Sequence, residues 1–146
     1  MTTNRTTPSG QPGDVPHGDR ALINPNDDEA TQRSLLRENE SAEIIARAGY
    51  NIQQKPSPPL GSRKRPDYLI EGQIFDCYAP ETANAYNIVD TIAGKVGRGQ
   101  TTRLVLNLED SAVSIEEIRK QLTRTAIPGL EEIFIIKNNQ VFPFFP

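Results

Sequence analysis

The chain has 146 residues, with sixteen basic and nineteen acidic side chains and a net charge of −3, so nothing global favours nucleic-acid binding and any such role must rest on local geometry. A single cysteine, Cys77, excludes an internal disulfide and a cysteine-rich zinc site, and the only histidine, His17, sits in an aperiodic stretch, which excludes paired-histidine ribonuclease and Ser-His-Asp hydrolase chemistry from the folded part. No apolar run reaches the roughly 18 residues needed to span a bilayer, and the N-terminus lacks the apolar stretch of a secretory signal, so no stable membrane association is expected.

Residues 1–30 are rich in Thr, Pro, Gly, Asn and Asp and are expected to form a disordered leader or linker, with one domain over 31–146. From Thr31, "TQRSLLRENESAEIIARAGYNIQQ" predicts a helix with Thr31 or Ser34 as N-cap and Gly49 as its left-handed stop, followed by a short strand. The row Leu36, Glu40, Ile44, Ala48 places an acid, Glu40, in the apolar stripe. On the helix alone, a carboxylate at the edge of the stripe that reaches water is the plainer reading. The proline-broken loop "KPSPPLGSRKRP" carries Arg63, Lys64 and Arg65, either as a solvated charge run or as a phosphate contact.

The runs "DYLI" and "QIFDCYA" flank Glu71-Gly72 and read as a β-hairpin. A turn of two or four residues keeps one register, with Leu69 opposite Ile74 and Asp67 opposite Asp76. Two carboxylates about 5 Å apart on one face repel by roughly 3 kcal/mol at an effective dielectric of ~20. A hard divalent cation would offset this; so would protonation of one acid, or an odd loop that turns the two acids to opposite faces.

Next, "TANAYNIVDTIAGKVGRG" predicts a helix capped by Thr82, with the apolar row Ile88, Ile92, Val96 and with Lys95 on its flank, directed toward the sheet or snorkelling to solvent. "TTRLVLNL" reads as a buried strand, and "SIEEIRKQLTRT" as an amphipathic helix with Ser114 and Glu117 as a capping box. "EEIFIIKNNQVFPFF" reads as two strands about an Asn-Asn turn. The order implies an α/β fold with a mixed central sheet and flanking helices.

The "PD" at Pro66-Asp67, followed nine residues on by Asp76 within a strand, resembles the PD-(D/E)xK superfamily of metal-dependent nucleases. The resemblance implies an αβββαβ core, here with an added C-terminal helix and strands, in which the acids bind Mg²⁺ or a related ion and a lysine activates water. The chain departs from the signature in having Tyr78 two residues after Asp76; in some branches the lysine moves to the following helix, where Lys95 stands. The strings "LRENESAEIIARAGYNI", "PDYLIEGQIFDCYAP", "KVGRGQTTRLVLNLEDS" and "IPGLEEIFIIKNNQVFPFFP" together look like the C-terminal tRNA nuclease domain of CdiA-type contact-dependent growth inhibition toxins.

That resemblance implies a tRNase exported within a larger toxin, acting in the cytoplasm of neighbouring bacteria and neutralised by a cognate immunity protein. It implies Glu40, Asp67 and Asp76 as metal ligands, Lys95 as the catalytic lysine, and Mg²⁺ as the ion ahead of Mn²⁺ or Zn²⁺. Arg63, Lys64, Arg65, Lys95, Arg98 and Arg103 are the candidate RNA-binding rim, and Gln100, Thr101 and Asn107 are polar helpers or plain turn and strand-end residues. A DNA endonuclease of the same superfamily and a non-catalytic binding module are the alternative readings.

Overall fold

A computed structural model of the protein describes residues 5–56 and 65–146. Among the described residues, seven strands lie in chain order in one sheet: β1 (His17–Gly18), β2 (Ile52–Gln54), β3 (Tyr68–Ile70), β4 (Gln73–Tyr78), β5 (Arg103–Asn107), β6 (Glu132–Lys137) and β7 (Gln140–Phe145). The pairs β1/β2, β4/β5 and β5/β6 are parallel and the others antiparallel, which gives the mixed sheet expected from the sequence. The three helices are α1 (Glu29–Arg47), α2 (Ala85–Gly97) and α3 (Ile115–Arg124). The run α1-β2-β3-β4-α2-β5 is the expected αβββαβ core, with α3, β6 and β7 following it.

Period-two alternation on the central strands sorts the core into two layers. Val105, Phe134 and Ile136 pack with Ala42, Ile45, Ile52, Tyr68 and Phe75 beneath α1. Leu104, Leu106, Ile133 and Ile135 pack with Ile88, Ile92 and Ile118 beneath α2 and α3. Among the described residues, no helix is long and apolar enough to cross a membrane.

Two caps differ from expectation. Helix α1 starts earlier, because Asp28 Oδ1 accepts the Thr31 N–H at 2.7 Å, so Thr31 lies inside the first turn. Helix α2 is capped by Asn84, whose side chain accepts from Asn87 N, while the Thr82 hydroxyl is taken by the Asn84 N–H. Ser114 caps α3 as expected, accepting the Glu117 N–H at 3.1 Å. The β3–β4 turn is the two-residue Glu71-Gly72 form with positive φ at both positions (48° and 82°), and Asn138-Asn139 repeats it between β6 and β7.

The leader departs most from its composition. Residues 1–4 lie outside the described residues, but the rest of the segment is fastened to the domain rather than disordered. Thr6 donates its N–H and hydroxyl to Glu132, and Ser9 does the same to Glu71. Gly10 and Gly13 donate to the carbonyls of Gly49 and Arg47, and His17-Gly18 pairs with β2. A segment poor in apolar residues is held here by hydrogen bonds to distant carboxylates, a signal that no local pattern carries. Glu132 is only 1% exposed and otherwise has Arg103 as its partner, so loss of the leader strips a buried carboxylate of two donors. Deleting residues 1–20 is expected to destabilise the domain by about 2–4 kcal/mol. An unchanged urea-unfolding midpoint in the truncated protein would show that the leader is not anchored.

Candidate active site

The hairpin register sets Tyr68 opposite Phe75 and Leu69 opposite Ile74, as the sequence predicts, with Asp67 one residue beyond the last pair. Strand pairing ends there. The next position, Pro66, has no N–H to offer the ladder, and the Cys77 N–H donates at 2.8 Å to Asp67 Oδ2, a side chain in place of a backbone acceptor. Asp76 is 6% exposed and accepts from Gln100 Nε2 at 3.0 Å. Gln100 is itself held where α2 ends, its N–H bonded to the Lys95 carbonyl at 3.0 Å. One short loop therefore fixes the position of Asp76 relative to Lys95.

The helix acid that joins the aspartates is Glu38, and Glu40 does not. Two residues along a helix are about 200° of rotation, so the two glutamates look in nearly opposite directions. The buried face of α1 runs through Glu38, Ala42 and Ile45, while Leu36, which set the expected row, is 54% exposed. Tyr68 fixes that phase by donating its hydroxyl to the Glu38 carbonyl at 2.6 Å. Glu40 Oε2 instead pairs with Arg37 at 2.7 Å, its Oε1 has no hydrogen-bond partner, and Arg37 also binds Asp110.

Glu38 and Asp67 are both shifted upward. Glu38, 8% exposed, is pushed up to about 8 by burial first and then by the charge of Asp67 and a hydrogen bond to it, with Asp76 adding and Lys55 opposing. Asp67 is raised chiefly by burial, against the Cys77 N–H, the Glu38 hydrogen bond and the Lys95 charge, which favour its ionised form. Lys95 lies in the last turn of α2, its Nζ 5.6 Å from the centre of the Tyr78 ring. Among the described residues none of Glu38, Asp67 and Asp76 forms an ion pair.

Asp67 and Asp76 open into a cavity of about 620 Å³ that Arg65, Ile74, Gln100 and Thr101 also line. Arg65 and Arg98 are exposed, whereas Arg103 is taken by Glu131 and Glu132, at 3.1 and 2.9 Å, and is not free to meet a phosphate. Arg63 and Lys64 lie outside the described residues. Thr101 and Asn107 serve the scaffold: the Thr101 hydroxyl bonds the Arg103 backbone, and the Asn107 side chain bridges the Ser41 hydroxyl and the Glu109 N–H.

Among the described residues no three histidine, cysteine or acidic side chains form a group arranged to hold a metal. The Asp67–Asp76 pair supplies carboxylate oxygens alone, which fits a hard ion such as Mg²⁺ or Mn²⁺ that binds through one or two carboxylates and keeps waters. The donor set does not favour Zn²⁺. Cys77 Sγ sits 3.9 Å from Ser41 Oγ against the α1 core, and burial pushes its thiol up to about 12.

A mixed sheet with helices on both faces is the α/β arrangement expected from the sequence. The chain belongs to the contact-dependent growth inhibition CdiA C-terminal domain family, whose model matches residues 64–142. It is 45% identical over 128 residues to the protein named tRNA nuclease CdiA-2 from Burkholderia pseudomallei (strain 1026b), a match that takes in 88% of this chain and 4% of that protein. The chain is therefore similar to a small part of its relative's length. A solved CdiA-CT/CdiI toxin and immunity complex from Burkholderia pseudomallei matches with a TM-score of 0.84 and 41% identity, over 90% of this chain and 99% of that one.

The raised value at Glu38 fixes the sign of a pH effect in metal-free protein. An acid whose folded value lies above its unfolded one contributes full stability below the ordinary 4.5 and loses it as pH climbs toward about 8. The urea midpoint of the wild-type protein in chelator is expected to fall across that window, and Glu38→Gln to flatten the fall. Parallel slopes in the two proteins would contradict the buried position of Glu38.

Proposed function

We propose that this chain is a metal-dependent endoribonuclease toxin that cleaves tRNA. It would be carried into neighbouring bacteria as part of a larger contact-dependent toxin, act in their cytoplasm, and be held inactive in the producer by a cognate immunity protein. The observation that carries the chemistry is the pair of buried Asp76 and half-buried Asp67, without a paired cation and open to one cavity, with the charge of Lys95 felt at Asp67. The tRNA substrate and the immunity partner are supported by the likeness to the named tRNA nuclease and to the toxin and immunity complex.

Asp67 and Asp76 would hold the metal. When bound, it would supply Lewis-acid stabilisation of the phosphate and a bound water of lowered pKa. The protein's own groups do the rest. Gln100 and the Cys77 N–H keep the two carboxylates in place, so little reorganisation accompanies substrate binding. Lys95 places a positive charge where negative charge develops on the attacking side. Glu38 steadies Asp67 through their hydrogen bond and, with its proton, spares the site a third negative charge at neutral pH. Exposed Arg65 and Arg98 draw the RNA backbone to an otherwise acidic domain.

Asp76→Ala is expected to reduce tRNA cleavage by at least about 10²-fold while retaining the fold, Lys95→Gln to reduce it by about 10²-fold, and Glu40→Gln to leave it within about threefold. The assay sets deacylated tRNA, total RNA and plasmid DNA against each protein in Mg²⁺, Mn²⁺ or chelator. Cleavage that persists in chelator, or in the Asp76→Ala protein, defeats the mechanism. Loss of plasmid alone would assign the site to DNA.

A further inference from the structure

Lys55 follows β2 and takes no part in the chemistry above. The β2–β3 register pairs Ile52 with Ile70, Gln53 with Leu69 and Gln54 with Tyr68, so the next position sets Lys55 against Asp67. The Lys55 N–H does donate to the Asp67 carbonyl, at 2.9 Å. Lys55 and Asp67 therefore lie side by side just past the paired ends of β2 and β3, with Asp76 on the neighbouring β4.

Ordinary strand geometry at Lys55 would direct its ammonium to the face of Asp67 and close an ion pair. Instead Lys55 has a φ of 49°, the left-handed region that residues with a Cβ rarely occupy. Its side chain is exposed, and among the described residues it forms no ion pair. Its charge is nonetheless felt at Glu38, where it opposes the burial and the Asp67 charge that raise that acid. A strained backbone conformation thus keeps a lysine beside an acidic site without letting it neutralise the acids.

Building on the nuclease reading, we propose that Lys55 is a phosphate-binding residue that grips the RNA backbone one nucleotide away from the phosphate held at Asp67 and Asp76. Two strand spacings, about 10 Å, separate its backbone from that of Asp76, so its flexible stem addresses a neighbouring phosphate rather than the reacting one. Lys95 approaches from α2, beside β4, and Lys55 from β2, so the two lysines bracket the acids.

Lys55→Asn tests the side chain apart from the backbone, because asparagine tolerates the left-handed conformation and carries no charge. It is expected to raise the KM for tRNA about tenfold with kcat within about threefold, and Lys55→Arg to restore most of the loss. Affinity for tRNA is also measured in the Asp76→Ala protein, with and without Lys55→Asn, over a range of salt. Loss of one phosphate contact lowers the slope of log affinity against log salt by about 0.7–0.9. An unchanged slope and KM in Lys55→Asn, or a fall in kcat alone, would overturn the proposal. The affinity arm needs no cleavage, so an inactive wild-type protein would defeat the nuclease reading while the salt slope still decides on Lys55.

Discussion

The site depends on keeping carboxylates close together, out of water and without a paired cation. Asp67 and Asp76 line one cavity at the end of the hairpin and Glu38 closes on Asp67 from α1, an arrangement that opposes folding on its own terms. Groups with no net charge hold it: the Cys77 N–H on Asp67 and the Gln100 amide on Asp76. Neutral donors fix the oxygens without cancelling their charge, so the pull on a cation is preserved. An arginine in either place would have cancelled that charge and made a weaker site.

The sheet supplies the opening. Helices α2 and α3 cover β5, β6 and β7 on one face, and their apolar layer reaches only Tyr78 on β4. Ile74 and Asp76, on the same side of β4 by the period-two rule, line a cavity instead of a core. The loop that leaves α2 then runs past this uncovered flank and brings Gln100 to Asp76, so one change of direction both ends the helix and borders the cavity. Helix α1 fills the opposite face, and its Glu38 reaches Asp67 where the β3–β4 ladder stops.

What the sequence made legible follows the range of the interactions involved. The hairpin was readable because a two-residue turn fixes an even register and with it the face of Asp67 and Asp76. The buried face of α2 was readable from the phase of Ile88, Ile92 and Val96, three residues that are all buried. The phase of α1 was misjudged because Leu36 is an exposed apolar residue, and one such residue tilts a short stripe; the row Glu38, Ala42, Ile45 carried the correct phase and an acid in it. The leader and Lys55 were unreadable for another reason. Thr6 meets Glu132 across the length of the chain, and the left-handed turn at Lys55 is set by its pairing with Asp67, so neither leaves a periodic trace.

Helix α1 shows how one element divides acids between scaffold and site. On its outer side Arg37 joins Asp110 and Glu40, and Arg33 binds Asp110 and the Ala79 carbonyl, tying the helix to the connections that follow β4 and β5. There Asp110 is held down at about 2 by its hydrogen bond to Arg37, so its charge is committed at any physiological pH. On the inner side Glu38 and Asp67 are shifted upward, chiefly by burial. On the outer side the carboxylates are held by arginines, whereas Glu38 and Asp67 on the inner side pair with none among the described residues. Glu40, paired to Arg37, belongs with Asp110, and the acid two residues before it belongs with the hairpin.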